Sequence, residues 1–145
     1  MKFIFVKSNS NHYNQGIEVR KKVFFKGFEN AYQLLNDSYE LNSIHLIAIE
    51  NNNVFGTGRL TFINKTEAII SQMATLPNFQ NKGIGKRILK MLMENSFQNN
   101  CKTIKLSARI SALEFYKKEG FKPFGKVYPS KKTGVLHQEM ILVKL

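Results

Sequence analysis

Apolar positions along the chain follow two different periods, and the change between them divides it into elements. Residues 3–6 (FIFV) are aromatic or β-branched and stop at the polar Ser-Asn cluster of residues 8–11, which predicts a short first strand. Ile17, Arg20, Lys21 and Phe24 then recur at helical spacing with Gly27 as a stop, predicting a helix over residues 12–26 and a shorter one over 30–35. Residues 44–50 (IHLIAIE) and 54–63 (VFGTGRLTFI) flank Asn51, Asn52 and Asn53, whose side chains tolerate left-handed turns, and so read as an antiparallel hairpin. A polar turn at Asn64, Lys65 and Thr66 leads to a fourth strand over residues 68–76 (AIISQMATL).

After Pro77 the period becomes 3.6. Ile84, Ile88 and Leu92 form one i, i+4 series, with Leu89 and Met93 beside it, and predict the strongest helix of the chain. A short strand over residues 103–107, a helix over 109–119 closed by Gly120, and strands over 122–128 and 135–145 complete the pattern. No repeat, long linker or low-complexity block marks a boundary, and 145 residues is the size of one ordinary domain, so one domain over residues 1–145 is expected.

Composition changes this picture in three ways. Apolar residues make up 43% of the chain, enough for a sizeable core, and the 22 basic against 10 acidic residues give a formal charge of +12. Such a field attracts polyanions, whether nucleic acid, anionic membrane or a phosphate-rich cofactor. The single cysteine, Cys101, makes no internal disulfide, and no Cys/His cluster has zinc spacing, so a reducing compartment is expected and a metal is not. The apolar run at the N-terminus is four residues long before Lys7, far short of a signal-peptide core or a membrane span, and a soluble, cytoplasmic protein is the expectation.

The segment Gln80-Asn81-Lys82-Gly83-Ile84-Gly85 lies between a predicted strand and the strongest helix. Main-chain N–H groups at a helix N-terminus have no intrahelical partner and carry the positive end of the macrodipole, so a strand–turn–helix with small residues makes a pyrophosphate cradle. Lys82, Lys86 and Arg87 add positive charge. The Rossmann fingerprint needs a third glycine and the P-loop needs GxxxxGK[ST], and neither is present. A bare GxG equally fits two glycines that merely let a helix start close to a sheet.

Here the sequence resembles the GNAT acetyltransferase superfamily. Its acetyl-CoA signature [QR]-x-x-G-x-[GA] is met by Gln80, Gly83 and Gly85 after the strand end MATLP, and residues 106–121 (LSARISALEFYKKEGF) are similar to the family's A-x-x-[FL]-Y-x-x-x-G-F segment. Arg20-x-x-Val23-Phe24 and residues 124–140 resemble the small bacterial ElaA-type branch more weakly. The resemblance implies an α+β fold, with a mixed, mainly antiparallel sheet of about six or seven strands flanked by about four helices. It implies acetyl-CoA as co-substrate, no metal, and direct transfer to an amine on a small molecule, protein or peptide. A monomer or homodimer is expected, with neither nucleic acid nor membrane as partner.

The family pattern carries over to particular residues. Met73, Ala74 and Thr75 would present main chain to the pantetheine arm, a recognition mode like strand addition. Gln80, Asn81, Lys82, Gly83, Ile84, Gly85 and Lys86 would hold the pyrophosphate. Tyr116 matches the family's tyrosine, a proton donor to the departing thiolate, although periodicity alone reads it as a packed aromatic. Many relatives carry Asn where this chain has Arg109, so the pantetheine contact is either lost or replaced by one to phosphate. An alkyl amine of pKa about 10.4 must lose a proton before attack, at a cost of roughly 4–5 kcal/mol at pH 7. Glu67, Glu139 and Glu50, all at strand positions, are candidate bases, with surface carboxylates as the plainer reading. His45 and His137 are possible shuttles or substrate ligands. Two other function classes fit part of the sequence: a basic nucleic-acid-binding module, against which the lysines are scattered over every segment, and an acyl-CoA-binding sensor without turnover.

Overall fold

The computed structural model describes residues 1–144. Its centre is a seven-stranded sheet in the order β1-β2-β3-β4-β5-β7-β6. The strands are β1 (Lys2–Val6), β2 (Ile44–Glu50), β3 (Asn53–Phe62), β4 (Glu67–Thr75), β5 (Thr103–Arg109), β6 (Lys122–Pro129) and β7 (Leu136–Val143). The helices are α1 (Asn11–Phe24), α2 (Ala31–Leu35), α3 (Ile84–Gln98) and α4 (Leu113–Lys117). Every neighbouring pair is antiparallel except β4 with β5. The expected fold class, strand number and helix number all hold.

Local chemistry explains the element ends. Ser10 caps α1 by accepting from the Tyr13 N–H at 3.1 Å. Asn51 and Asn52 both take left-handed conformations, with φ of 51° and 63°, as the hairpin demands. Asn64 Oδ1 accepts from the main-chain N–H groups of Thr66 and Glu67 and so closes the next turn.

The predicted helix over residues 109–119 needs correction. Arg109 is the last residue of β5, where it pairs with His137; a single 3₁₀ turn follows, and α4 covers only Leu113–Lys117. The sheet ladder to β7 captures the first residue, and the remaining segment is too short for more than one helical turn. The α1 helix also stops earlier than predicted, at Phe24, because Phe25 turns inward and is buried. The last residue of the predicted final strand, Leu145, lies outside the described residues.

Successive residues of β2 serve opposite faces of the sheet. Leu46 and Ala48 join a core with Ile88, Leu89 and Leu92 of α3, whereas Ile47 and Ile49 join one with Val19 of α1. This period of two makes the protein a three-layer arrangement with α3 on one face and α1 on the other. The α3 layer sits very close to β3. A Cβ at Gly58 would lie 2.7 Å from Ile88 Cγ2 and 2.9 Å from Leu92 Cδ1. Overpacking a close-packed core costs about 1–3 kcal/mol, so Gly58→Ala is expected to lower the urea midpoint by that equivalent with an unchanged denaturant slope.

Candidate functional site

The ladder between β4 and β5 is short. It joins only Glu67, Ala68 and Ile69 to Thr103, Ile104 and Lys105, while β5 stays paired to β7 along its whole length. Past Ile69 the β5-facing edge of β4 therefore has no strand partner, and the two strands part. A cavity of about 570 Å³ occupies the gap.

A bulge in β4 helps to open it. The register with β3 shifts between Thr57 and Arg59, and Gln72 takes a left-handed φ of 55°, uncommon for a residue with a side chain. Ser71 and Gln72 thereby both turn toward the α1 side. Each meets a buried arginine: Arg59 Nε donates to Ser71 Oγ at 2.8 Å and Arg20 Nε to Gln72 Oε1 at 3.1 Å. Both arginines converge on Glu40. Arg20 grips its carboxylate with two nitrogens at 2.7 and 2.9 Å, Arg59 adds a bond of 2.7 Å, and Tyr13 Oη donates at 2.5 Å. Arg59 also holds Asp37 at 2.9 and 3.0 Å.

These contacts determine the charge states. Burial pushes the Glu40 carboxyl upward, but hydrogen bonds and charge from Arg20, with Tyr13 and Arg59, outweigh it and hold the group at about 2. Asp37 likewise sits below the usual carboxylate range, burial being outweighed by Arg59. His45 binds the Glu40 carbonyl through Nε2 at 2.9 Å, and burial lowers its pKa, which keeps it a neutral structural group.

A hydroxyl on one face of the sheet and a carboxylate on the other both line the cavity. On the α3 side stands Tyr116, only 8% exposed and packed edge-on to Phe115 and Phe121. Among the described residues its hydroxyl has no hydrogen-bond partner, and burial raises its pKa to about 12. On the α1 side Glu139 faces Ser107 across the β5–β7 ladder. Tyr128 Oη donates to Glu139 Oε1 at 2.6 Å and is also hydrogen-bonded to Ser107 Oγ. Burial and the Glu139 bond both raise the Tyr128 pKa, so its proton stays available to the carboxylate. Glu139 Oε2 keeps no protein partner among the described residues.

The glycine turn lies at the end of β4. Gln80 Nε2 donates to the Thr75 carbonyl at 3.0 Å, tying the turn to the strand. Asn81 and Gly83 take positive φ of 62° and 83°, and Gly83 is the N-cap of α3. The first intrahelical bond of α3 comes from the Arg87 N–H, so those of Ile84, Gly85 and Lys86 lack helical partners. No atom lies within 4 Å of a Cβ built at Gly83, whereas one at Gly85 would touch Phe115 and Thr75. The space in front of the helix end is open.

The other expected residues are dispersed. Met73 lines the cavity beside the bulge, and Ala74 is buried against the α1 layer. Glu67 lies at the closed end of the β4–β5 ladder, 3.7 Å from Lys105 Nζ and outside the cavity wall. Glu50 is exposed at the far edge of β2, against the N-terminal amine. Arg109 lines the α1 side of the cavity with its guanidinium over the Phe24 ring at 5.2 Å, on the opposite face of the sheet from α3. His137 also lines that side, through a ring that bonds the Val135 carbonyl. Cys101 is buried in the α3 core. Among the described residues no group of three or more His, Cys, Asp or Glu could hold a metal, and no helix is long and apolar enough to cross a membrane.

The sequence reading missed Tyr128, Ser107 and the Arg20–Glu40–Arg59 cluster. For the cluster one signal was available: an arginine at a core-facing position of α1 and another inside an otherwise apolar strand, neither of which can be buried without a carboxylate.

Comparison with known proteins agrees with this geometry. Residues of the chain are 35% identical over 71 positions to the uncharacterized N-acetyltransferase ycf52 of Pyropia yezoensis, covering 49% of this chain and 41% of that relative. The chain thus matches about two fifths of that relative's length. Among solved structures, ElaA of Escherichia coli superposes with a TM-score of 0.81 at 18% identity, covering 97% of each chain. A GNAT family acetyltransferase of Elizabethkingia anophelis, solved with acetyl-CoA bound, gives 0.76 at 15% identity over 98% of this chain and 97% of that one. The family model for the acetyltransferase (GNAT) family matches residues 14–121. That span runs from α1 through the bulge, the glycine turn and α4, and on this ground the chain belongs to the acetyltransferase (GNAT) family.

Proposed function

We propose that the protein is an acetyl-CoA-dependent N-acetyltransferase that passes the acetyl group directly to an amine within a ternary complex. The observation that carries this reading is the cavity at the parting of β4 and β5, with a proton donor on one face and a carboxylate on the other. A co-substrate of this kind fits the residues present: open space and unpaired N–H groups at the head of α3, lysines beside them, and an unpaired strand edge leading to the cavity. The related fold of the Elizabethkingia anophelis protein with acetyl-CoA bound supports the same choice.

Acetyl-CoA, when bound, supplies an activated thioester carbonyl. The N–H groups of Ile84, Gly85 and Lys86, with Lys82 and Lys86 nearby, would hold the diphosphate. Met73, Ala74 and Thr75 offer main chain to the pantetheine arm, and Gln80 keeps the turn in register with that strand. Glu139 Oε2 accepts the proton that the acceptor ammonium must lose, while Tyr128 steadies the other carboxylate oxygen. Tyr116 would give its hydroxyl proton to the sulfur as the carbon–sulfur bond breaks, and would be reloaded by the second proton, which the attacking nitrogen sheds as it becomes an amide. Of the two candidate bases Glu139 lines the cavity and Glu67 does not, which supports giving the role to Glu139.

The test combines binding with kinetics. Gly83→Glu puts a side chain and a negative charge before the helix end and strains a backbone held at φ 83°. It is expected to weaken acetyl-CoA at least about tenfold by calorimetry, and initial rates of the unaltered protein with varied acetyl-CoA and amine should give intersecting lines. Unchanged affinity would overturn the cradle, and parallel lines would replace the ternary complex with an acyl-enzyme route.

A further inference from the structure

We propose that the α1-side end of the cavity is an anion subsite, which selects primary amines carrying an acidic group a few carbons from the nitrogen. The inference rests on the N-acetyltransferase reading and names its acceptor class. Among the described residues, Lys105, Arg109, Lys131 and Lys132 line the cavity there, and Glu139 is the only acid in its wall. The formal charge of +12 does not make the case, since lysines are spread over the whole surface. What decides is where each local charge goes.

Lys105 is paired with Glu67, and Lys132 Nζ donates to the Leu34 carbonyl. Arg109 has no carboxylate within 4.0 Å among the described residues. Its guanidinium lies instead over the Phe24 ring, 5.2 Å from the centroid, a contact that does not neutralise it. A guanidinium on a cavity wall without an ion-pair partner among the described residues leaves its N–H fork for a carboxylate or phosphate.

Glu139 sets the other half of the selection. Oε1 is taken by Tyr128, so one oxygen is left for one ammonium. A diamine would place its second positive charge against Arg109 and Lys131, without any acid to receive it. The Ser107–Glu139 and Arg109–His137 pairs are successive same-face rungs of one ladder, about 7 Å apart from the rise of two strand residues. That spacing suits an amine and an acid joined by a short carbon chain.

The experiment uses the full chain with saturating acetyl-CoA and ω-amino acids of two, three and four carbons, their amides, and diamines of equal length. Thiol release gives kcat/KM, and calorimetry on the CoA-saturated protein gives affinity. The best amino acid is expected to exceed its amide and diamine at least about tenfold in either readout, the size of one charge-assisted hydrogen bond. Arg109→Gln should bring that ratio close to one, and Arg109→Lys should restore part of it. Equal use or equal binding of acid and amide overturns the subsite, as does an Arg109→Gln variant that loses acid and amide alike together with acetyl-CoA affinity. If acetyl-CoA neither binds nor is consumed with any amine, the acetyltransferase reading itself fails.

Discussion

Tyr116→Phe is expected to lower kcat by roughly ten- to a thousandfold, within the usual range for a single general acid, while leaving acetyl-CoA affinity and the unfolding midpoint almost unchanged. The structure makes this an unusually clean substitution. The ring is packed against Phe115 and Phe121, and Phe preserves that packing; the hydroxyl has no partner among the described residues, so no hydrogen bond to them is lost. Burial holds the hydroxyl proton up to about pH 12, so the donor is loaded throughout any practical assay range. The alkaline limb of a pH profile therefore should not report Tyr116, and the Phe variant should show a lowered plateau with the same shape. Wild-type turnover by the variant, with an acceptor for which chemistry limits the rate, would remove Tyr116 from the mechanism.

Glu40→Ala is expected to destabilise the protein by about 3–5 kcal/mol, the cost of stranding buried charges. Arg20 and Arg59 are 1% and 3% exposed, and Glu40 is the acid they share. After its removal Arg59 retains Asp37, but Arg20 keeps only the Gln72 amide. A double variant, Arg20→Met with Glu40→Leu, should recover part of the loss, because a paired set removed together leaves less uncompensated charge. The pH dependence has a definite sign. The folded Glu40 pKa of about 2 lies below the ordinary glutamate value of 4.5, so its contribution is present above the latter and fades as pH falls toward the former. Acid titration of stability should be shallower across that window in Glu40→Gln. Chemical denaturation at a series of pH values checks both effects. Since Arg20 and Arg59 also hold the two residues of the β4 bulge, surviving activity in these variants should show a raised KM for acetyl-CoA.

The two buried arginines explain why part of the site was not readable from sequence. Arg20 sits at helical spacing beside Ile17 and Phe24, and periodicity assigns it to a helix without naming its partner. Glu40 lies 20 positions later and Arg59 19 positions beyond that, in a turn and a strand that give no sign of facing each other. Tyr128 and Glu139 are close in sequence, yet their meeting depends on the irregular register between β6 and β7. Of the carboxylates singled out by strand position, Glu67 and Glu139 are equivalent in sequence terms. They differ because the β4–β5 ladder is closed beside one, whereas the other stands on the wall where those strands have parted.

By itself, the sequence determined the elements whose causes are local. The left-handed asparagines between β2 and β3, the apolar stripe of α3, and the small residues between Gln80 and Gly85 act within a few positions of one another. The [QR]-x-x-G-x-[GA] pattern and the FY helix were legible for the same reason, since steric freedom and capping are properties of a short stretch of backbone. Tertiary structure alone decided the end of β5 at Arg109, the bulge at Gln72, the Glu40 cluster and the placing of Glu139, but not Glu67, on the cavity wall. Each of these depends on which distant strand edge or charge is brought within hydrogen-bonding range, and in a packed, low-dielectric interior such pairings outweigh the local preferences of any single residue.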